Sequence, residues 1–179
     1  MIRLKINNEL ELKGFMYEEA DELFALINEN RTYLREWLPW VDGTKSVQDS
    51  KAFIDHTVEQ MDRNTGLTVG IRENGKLIGI IGYNKLNHAN RIGTIGYWLS
   101  QQAEGKGVMT KAVQAMISYG FTQLNLNKVE IHAAVKNSKS RRIPEKLGFV
   151  YEGTIRDGEW LYHYYVDTVI YGLLKREYK

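Results

Sequence analysis

Gln102-Ala103-Glu104-Gly105-Lys106-Gly107-Val108-Met109-Thr110 is the stretch on which the reading of this chain turns. It has the form Gln-x-x-Gly-x-Gly, and its flanks give it meaning. Upstream, Thr94-Ile95-Gly96-Tyr97-Trp98-Leu99 alternates like a strand. Downstream, Met109, Ala112, Val113, Met116 and Ile117 recur at i, i+3, i+4, i+7 and i+8, the buried stripe of a helix. A strand, a short glycine loop and a helix leave the first helical N–H groups without internal partners, at the positive end of the helix dipole. Gly105 and Gly107 allow positive φ and close approach of a bulky anion. The stretch therefore predicts a phosphate cradle over residues 102–110.

Other phosphate loops fit less well. The Gly-x-x-x-x-Gly-Lys-[Ser/Thr] spacing of a Walker loop is absent. A dinucleotide fingerprint needs Gly-x-Gly-x-x-Gly beside the first strand and an acid at the end of the next. Here the loop lies in mid-chain, and the following strand, Lys128-Val129-Glu130-Ile131-His132-Ala133-Ala134-Val135, ends without one. On the loop alone, a turn that simply needs two glycines remains the alternative.

Around this unit the periodicities predict an α+β chain. Residues 2–13 read as one or two short strands around Asn7-Asn8, and 18–30 as a helix with Ala20, Leu23, Phe24 and Ile27 on one face. Ser46-Val47-Gln48-Asp49 resembles a capping box, opening a helix to about Arg63 with Val47, Ile54, Val58 and Met61 inward. Asn74-Gly75 signals a type I′ hairpin between 67–72 and 77–86. Strand 94–99, helix 107–122 and strand 128–135 form a βαβ unit, so its strands should be parallel. Segments 149–157 and 161–174 read as two more strands.

Composition narrows the function. The 179 residues are 43% apolar and 26% charged, ordinary usage for one folded domain. A net charge of +2, without a Lys/Arg block, argues against nucleic acid. Cysteine is absent, which removes disulfides, thiolate metal sites and an acyl-cysteine intermediate. His56, His88, His132 and His163 lack metal-ligand spacing. No signal-like or membrane-length apolar run is present, so a cytoplasmic location is expected.

Further motifs follow the loop in order. Asn137-Ser138-Lys139-Ser140 comes after the second strand, Glu145-Lys146-Leu147-Gly148-Phe149 closes a short helix, and Glu152-Gly153 lies just beyond. The run from Ile95 to Gly153 resembles the Gcn5-related N-acetyltransferase (GNAT) superfamily. Tyr33-Leu34-Arg35-Glu36-Trp37-Leu38-Pro39-Trp40, Gly96-Tyr97-Trp98-Leu99, Gly105-Lys106-Gly107-Val108-Met109-Thr110 and Gly148-Phe149-Val150-Tyr151-Glu152-Gly153 extend the likeness over almost the whole chain. They resemble the branch that acetylates the N-termini of ribosomal proteins (RimJ/RimL type), which also contains enzymes acting on small amines.

The resemblance implies one domain over residues 1–179. Its sheet would be mixed and mostly antiparallel, with a central splayed parallel strand pair and flanking helices. It implies direct transfer of acetyl from acetyl-CoA to a primary amine in a ternary complex, without a metal. The pyrophosphate would lie on the backbone of residues 103–108, spanning Ala103, Gly105, Lys106, Gly107 and Val108, with Met109 and Thr110 opening the helix. Gln102 would brace the loop, and Lys106 or Lys111 would add charge unless they only line a solvated helix face. The pantetheine arm would pair with the strand ending at Trp98-Leu99. A bulge there would aim one N–H at the thioester carbonyl, worth roughly 3 kcal/mol to the oxyanion.

Many members protonate the CoA thiolate with a Tyr, but none lies between Asn137 and Phe149. Ser140 matches the position that the RimL-like branch uses, as a hydrogen-bond donor to sulfur; a helix cap or CoA contact is its other reading. Asn137 is the candidate CoA amide contact. Glu159 matches the branch's base, acting through water, and otherwise reads as an exposed turn acid. Glu152 and Asp167 match family positions of structural character. Tyr33, Trp37 and Trp40 either shape the acceptor cleft or belong to the core. Pro144 departs from the pattern: it removes the N–H that would bond the Ser140 carbonyl, so the helix should start late or bend. The acceptor is expected to be a protein N-terminus, plausible alternatives being a small amine such as a polyamine or aminoglycoside, or no turnover at all in an acyl-CoA-binding module. A homodimer, paired through the final strand 161–174, is a further expectation.

Overall fold

The fold is organised around a fork between two parallel strands. The computed structural model describes residues 2–178; residues 1 and 179, at the ends of the expected domain, lie outside them. In chain order the elements are β1 (Arg3–Lys5), β2 (Leu10–Lys13), α1 (Ala20–Glu29), α2 (Arg31–Arg35), α3 (Val47–Asp62), β3 (Leu67–Glu73), β4 (Lys76–Asn87), β5 (Ile92–Leu99), α4 (Val108–Thr122), β6 (Lys128–Ala134), α5 (Ser138–Lys146), β7 (Val150–Leu161) and β8 (Tyr164–Leu174). The strands make one sheet in the order β1-β2-β3-β4-β5-β6-β8-β7. Among the described residues only β5 and β6 pair in parallel, as the helical crossover between them requires.

Each local signal acts through a contact. Asn74 and Gly75 sit at φ 50° and 82°, the two positive values a type I′ turn needs. Ser46 and Asp49 form the capping box of α3, with the Asp49 carboxylate accepting from the Ser46 N–H at 2.8 Å. The apolar stripe of α4 is buried as Met109, Ala112, Val113, Met116 and Ile117 against β5 and β6 residues such as Ile95, Val129 and Ile131. Each such large side chain contributes about 1.5–3 kcal/mol on full burial. On the opposite face of the sheet, Ala20, Leu23, Leu26 and Ile27 of α1 pack with Ile54 of α3 and Ile80 of β4.

Several expectations are corrected. Val58 is 40% exposed; the inward side of α3 is Ser50, Ile54 and Thr57. On α1, Leu26 is buried where Phe24 is only half-buried. The short helix α2 was not foreseen. β8 lies between β6 and β7, so both its edges are used and it cannot pair with another copy; the edge strand is β7. The bulge expected near Trp98 is instead in β4, where Asn84 drops out of the ladder between Tyr83↔Ile95 and Lys85↔Thr94. Helix α5 does not start late, because Asn137 caps it and Pro144 is accommodated inside.

Candidate active site

β5 and β6 pair over Ile92↔Lys128 to Ile95↔Ile131 and then separate. Beyond that point Gly96 to Leu99 pair only with β4, and His132 to Ala134 only with β8. The inner edge of β5 from Gly96 to Leu99 therefore has backbone groups free to pair with an extended ligand, and Trp98 and Leu99 line the cavity beside it.

That cavity, about 680 Å³, runs from the fork to the N-terminus of α4. Its lining includes Ala103, Gly105, Gly107, Val108, Met109 and Thr110. Gly105 and Gly107 stand at φ 76° and 73°. Gly107 is the N-cap of α4, whose first turn carries no acidic residue. A Cβ at either glycine would enter open space, so this mouth has room for a bulky group. Free N–H groups, helix dipole and room together fit a diphosphate. Gln102 and Lys106 are exposed and outside the lining. The loop is braced instead by buried Asn30, whose Oδ1 accepts from the Gln101 N–H at 3.0 Å while its Nδ2 donates to the Leu26 carbonyl at 2.8 Å. Cations that sequence reasoning missed, Lys136, Lys139 and Arg142, line the same cavity.

Tyr33 reaches this cavity and donates a hydrogen bond to Glu104, which also pairs with Lys139 at 2.8 Å. Burial, and then the Glu104 carboxylate, pushes the Tyr33 phenol far above its ordinary range. Burial alone would raise Glu104, but the bonds from Lys139 and Tyr33 outweigh it and hold the carboxyl below its usual value. The two hydrogen bonds tie α2 and α5 to the glycine loop.

A second cavity, about 530 Å³, lies on the α1/α3 side of the sheet. Trp37, Leu38, Tyr97, Trp98, Asn137 and Ser140 line both, so the cavities meet at the fork. Trp40 and Trp98 wall the second one, their rings 6.1 Å apart. The segment carrying Trp37 and Trp40 is held down by the Tyr162 hydroxyl, which donates to the Leu38 carbonyl at 2.5 Å, while Arg35 lies 3.9 Å over the Tyr162 ring.

Ser140 sits at the junction. Asn137 Oδ1 accepts from its N–H at 3.1 Å and caps α5. Pro144 leaves the Ser140 carbonyl without a helical donor, and the Tyr97 hydroxyl donates to it at 3.0 Å. The Ser140 hydroxyl in turn lies 3.4 Å from the Tyr97 oxygen. Burial keeps Tyr97 well above its ordinary range, hence protonated.

Glu159 lines the second cavity. In an even ladder Ile155↔Thr168 would put Asp157 opposite Val166; a bulge over 156–158 gives that place to Glu159. The bulge is secured by the Asp157 N–H, which donates to Asp167 Oδ1 at 2.8 Å. Burial raises the Glu159 carboxyl above the usual carboxylate range. His132 lines the cavity too, 3.1 Å from Glu130. Glu152 points elsewhere and pairs with Lys128 at 2.5 Å. Asp49, the other acid of this lining, is occupied by the α3 cap. Among the described residues no group of three His, Cys, Asp or Glu could hold a metal ion, and no helix is long and apolar enough to cross a membrane.

Comparison with known proteins agrees with this geometry. Residues 9–150 match the acetyltransferase (GNAT) domain family. The chain is 39% identical over 171 residues to the uncharacterized N-acetyltransferase p20 of Bacillus licheniformis, covering 94% of each. It is 29% identical over 168 residues to the ribosomal-protein-serine acetyltransferase of Escherichia coli (strain K12), covering 94% of each. Among solved structures, the microcin C7 self-immunity acetyltransferase MccE, in complex with acetyl-CoA and AMP, superposes with a TM-score of 0.92 at 28% identity, covering 96% of this chain and 95% of that one. The chain belongs to the GNAT family of acetyltransferases and transfers acetyl from acetyl-CoA to an amine.

Proposed function

We propose that this acetyltransferase modifies the α-amino group at the N-terminus of a protein, a ribosomal protein being the first candidate. The observation that carries the reading is the charge of the acceptor-side cavity. Among the described residues its only acids are Asp49 and Glu159, and Asp49 is committed to its helix cap. One uncommitted carboxylate among aromatic walls suits a single amine; a polycation would call for several. The E. coli relative named for ribosomal-protein serine supports the same acceptor class.

In this reading the amine enters beside Glu159 and acetyl-CoA lies along β5 with its pyrophosphate at the α4 loop. An α-amino group has a pKa near 8, about 2 units below a lysine side chain, so it asks less of its base. Glu159 takes the ammonium proton through water, which frees the nitrogen lone pair. The N–C bond forms, and the carbonyl electrons move onto oxygen facing the free backbone of Trp98 and Leu99. Collapse expels the CoA thiolate, which accepts a hydrogen bond from Ser140 and takes up the second proton of the attacking nitrogen, leaving the neutral amide and free CoASH. The aromatic walls exclude bulk water and strengthen each of these interactions.

The test follows free-thiol release from acetyl-CoA with N-terminal peptides beginning Ser or Ala, a ribosomal extract, polyamines and aminoglycosides. A peptide acceptor with the highest kcat/KM is expected. A polyamine or aminoglycoside as the best acceptor would move the assignment to small amines, and tight CoA binding without release from any acceptor would favour a binding module.

A further inference from the structure

Pro144 creates a deficit that a residue on another element makes good. In an uninterrupted helix the N–H of residue 144 would bond the carbonyl of residue 140. Proline has no such N–H, and its ring crowds that carbonyl. The Ser140 carbonyl belongs to the residue whose hydroxyl stands where the two cavities meet, and α5 has only nine residues to hold it in place. The missing donor is replaced from β5: the Tyr97 hydroxyl reaches the Ser140 carbonyl at 3.0 Å. Tyr97 lies past the fork, on the part of β5 anchored by its ladder to β4, where it pairs with Ile81. A strand fixed in the sheet thus takes over a hydrogen bond that the helix cannot make.

We propose that Tyr97 is the positioning residue for Ser140, required because Pro144 removes the helical donor. Its one proton is spent on the Ser140 carbonyl, so Tyr97 is not itself the group that meets the thiolate. Its oxygen accepts from the Ser140 hydroxyl at 3.4 Å, longer than the 2.7–2.8 Å usual for O–H···O bonds. That hold is weak enough for the Ser140 proton to turn toward the sulfur when acetyl-CoA is present. The carbonyl bond fixes the turn, and the loose hydroxyl contact keeps the rotor near its working direction.

The inference rests on the reading of Ser140 as the donor to sulfur, and the experiment separates the two. Steady-state kinetics are measured on the full chain and on Ser140→Ala, Tyr97→Phe, Pro144→Ala and the double variant Tyr97→Phe/Pro144→Ala. The acceptor is the best one from the thiol-release assay, and Tm is recorded for each protein. Tyr97→Phe should lower kcat on the order of tenfold while KM for acetyl-CoA stays within about threefold, the pattern of a misaimed group rather than a lost binding contact. Pro144→Ala restores the helical N–H and should leave kcat within about twofold. In that background Tyr97→Phe should cost less than about threefold, because the carbonyl now has its own donor. Equal losses in both backgrounds would overturn the proposal, since Tyr97 would then act without reference to Pro144. If Pro144→Ala lowers Tm by leaving a void, Pro144→Leu restores the N–H together with buried volume, and the same comparison applies. A Ser140→Ala protein that turns over like the parent would overturn the assignment of Ser140 whatever the cycle gives. A slow Ser140→Ala protein in a cycle without coupling would overturn the role of Tyr97 alone.

Discussion

Replacing Gly107 by alanine separates what the loop needs for folding from what it needs for its ligand. Gly107 caps α4 at φ 73° and ψ 9°, in the left-handed region. A Cβ there meets no heavy atom within 4 Å, so the folded protein feels only the backbone preference. That preference costs about 1–2 kcal/mol for an L-residue. At about 2–4 °C per kcal/mol for a chain of this size, Tm should fall by roughly 2–8 °C. Binding should suffer more. The open space at the mouth of α4 is where the pyrophosphate of CoA is expected, and a methyl group there pushes it off the N–H groups. Losing one charge-assisted hydrogen bond of about 1.5–3 kcal/mol raises Kd by about 10- to 150-fold. Calorimetric titration with CoA, beside thermal melts, reads both quantities. Gly107→Asn is the control: asparagine tolerates positive φ, so it should recover most of the Tm while remaining a poor binder. If Gly107→Ala melts as expected yet binds CoA within about threefold of the parent, the phosphate does not lie at this loop and the reasoning fails.

Three further outcomes follow from the same structure. Glu159→Gln should lower turnover by about 100-fold or more and abolish the acidic limb of the kcat profile, which in the parent lies above the ordinary carboxylate range because burial raises this group; an acidic limb that survives the substitution would show that Glu159 is not the base. The raised carboxyl also weakens the fold as pH climbs from 4.5 through the raised value, since the unfolded chain releases its proton first. Glu159→Gln should therefore melt higher than the parent at neutral pH, with the gap closing below pH 4.5; equal Tm values at neutral pH would contradict the burial effect. Gly120→Ala drives a Cβ into the hydroxyl of Tyr83, which is fully buried and donates to the Met116 carbonyl at 2.8 Å. Overpacking of this sort costs about 1–3 kcal/mol, so a thermal melt unchanged from the parent would show that helix α4 does not pack on Tyr83 this closely.

The chain itself determined the elements that carry short-range information. The βαβ unit around the glycine loop, the Asn74-Gly75 turn and the Ser46 capping box were legible because each is set by a few adjacent residues and their own φ, ψ and hydrogen bonds. The stripe of α4 was legible for the same reason. The catalytic family followed from several such units in order. What the sequence could not supply was any fact that depends on which distant residues meet. Val58 read as buried because periodicity fixes a helix's spacing but not which of two neighbouring stripes faces the sheet. Gln102 read as the loop's brace, whereas buried Asn30, far earlier in the chain, makes that bond. Glu159 was singled out only by resemblance, its spacing alone leaving it a turn acid; a bulge, itself secured by Asp167, gives it the ladder place that Asp157 would otherwise take. Tyr97 read as part of a strand and of a family motif, and Pro144 as the loss of the donor to the Ser140 carbonyl, with nothing to say what replaces it. The sheet brings them to one carbonyl, where the donor that one lacks is the donor the other provides. Local rules settle conformation; a hydrogen bond between elements exists only once packing has fixed the distance between them.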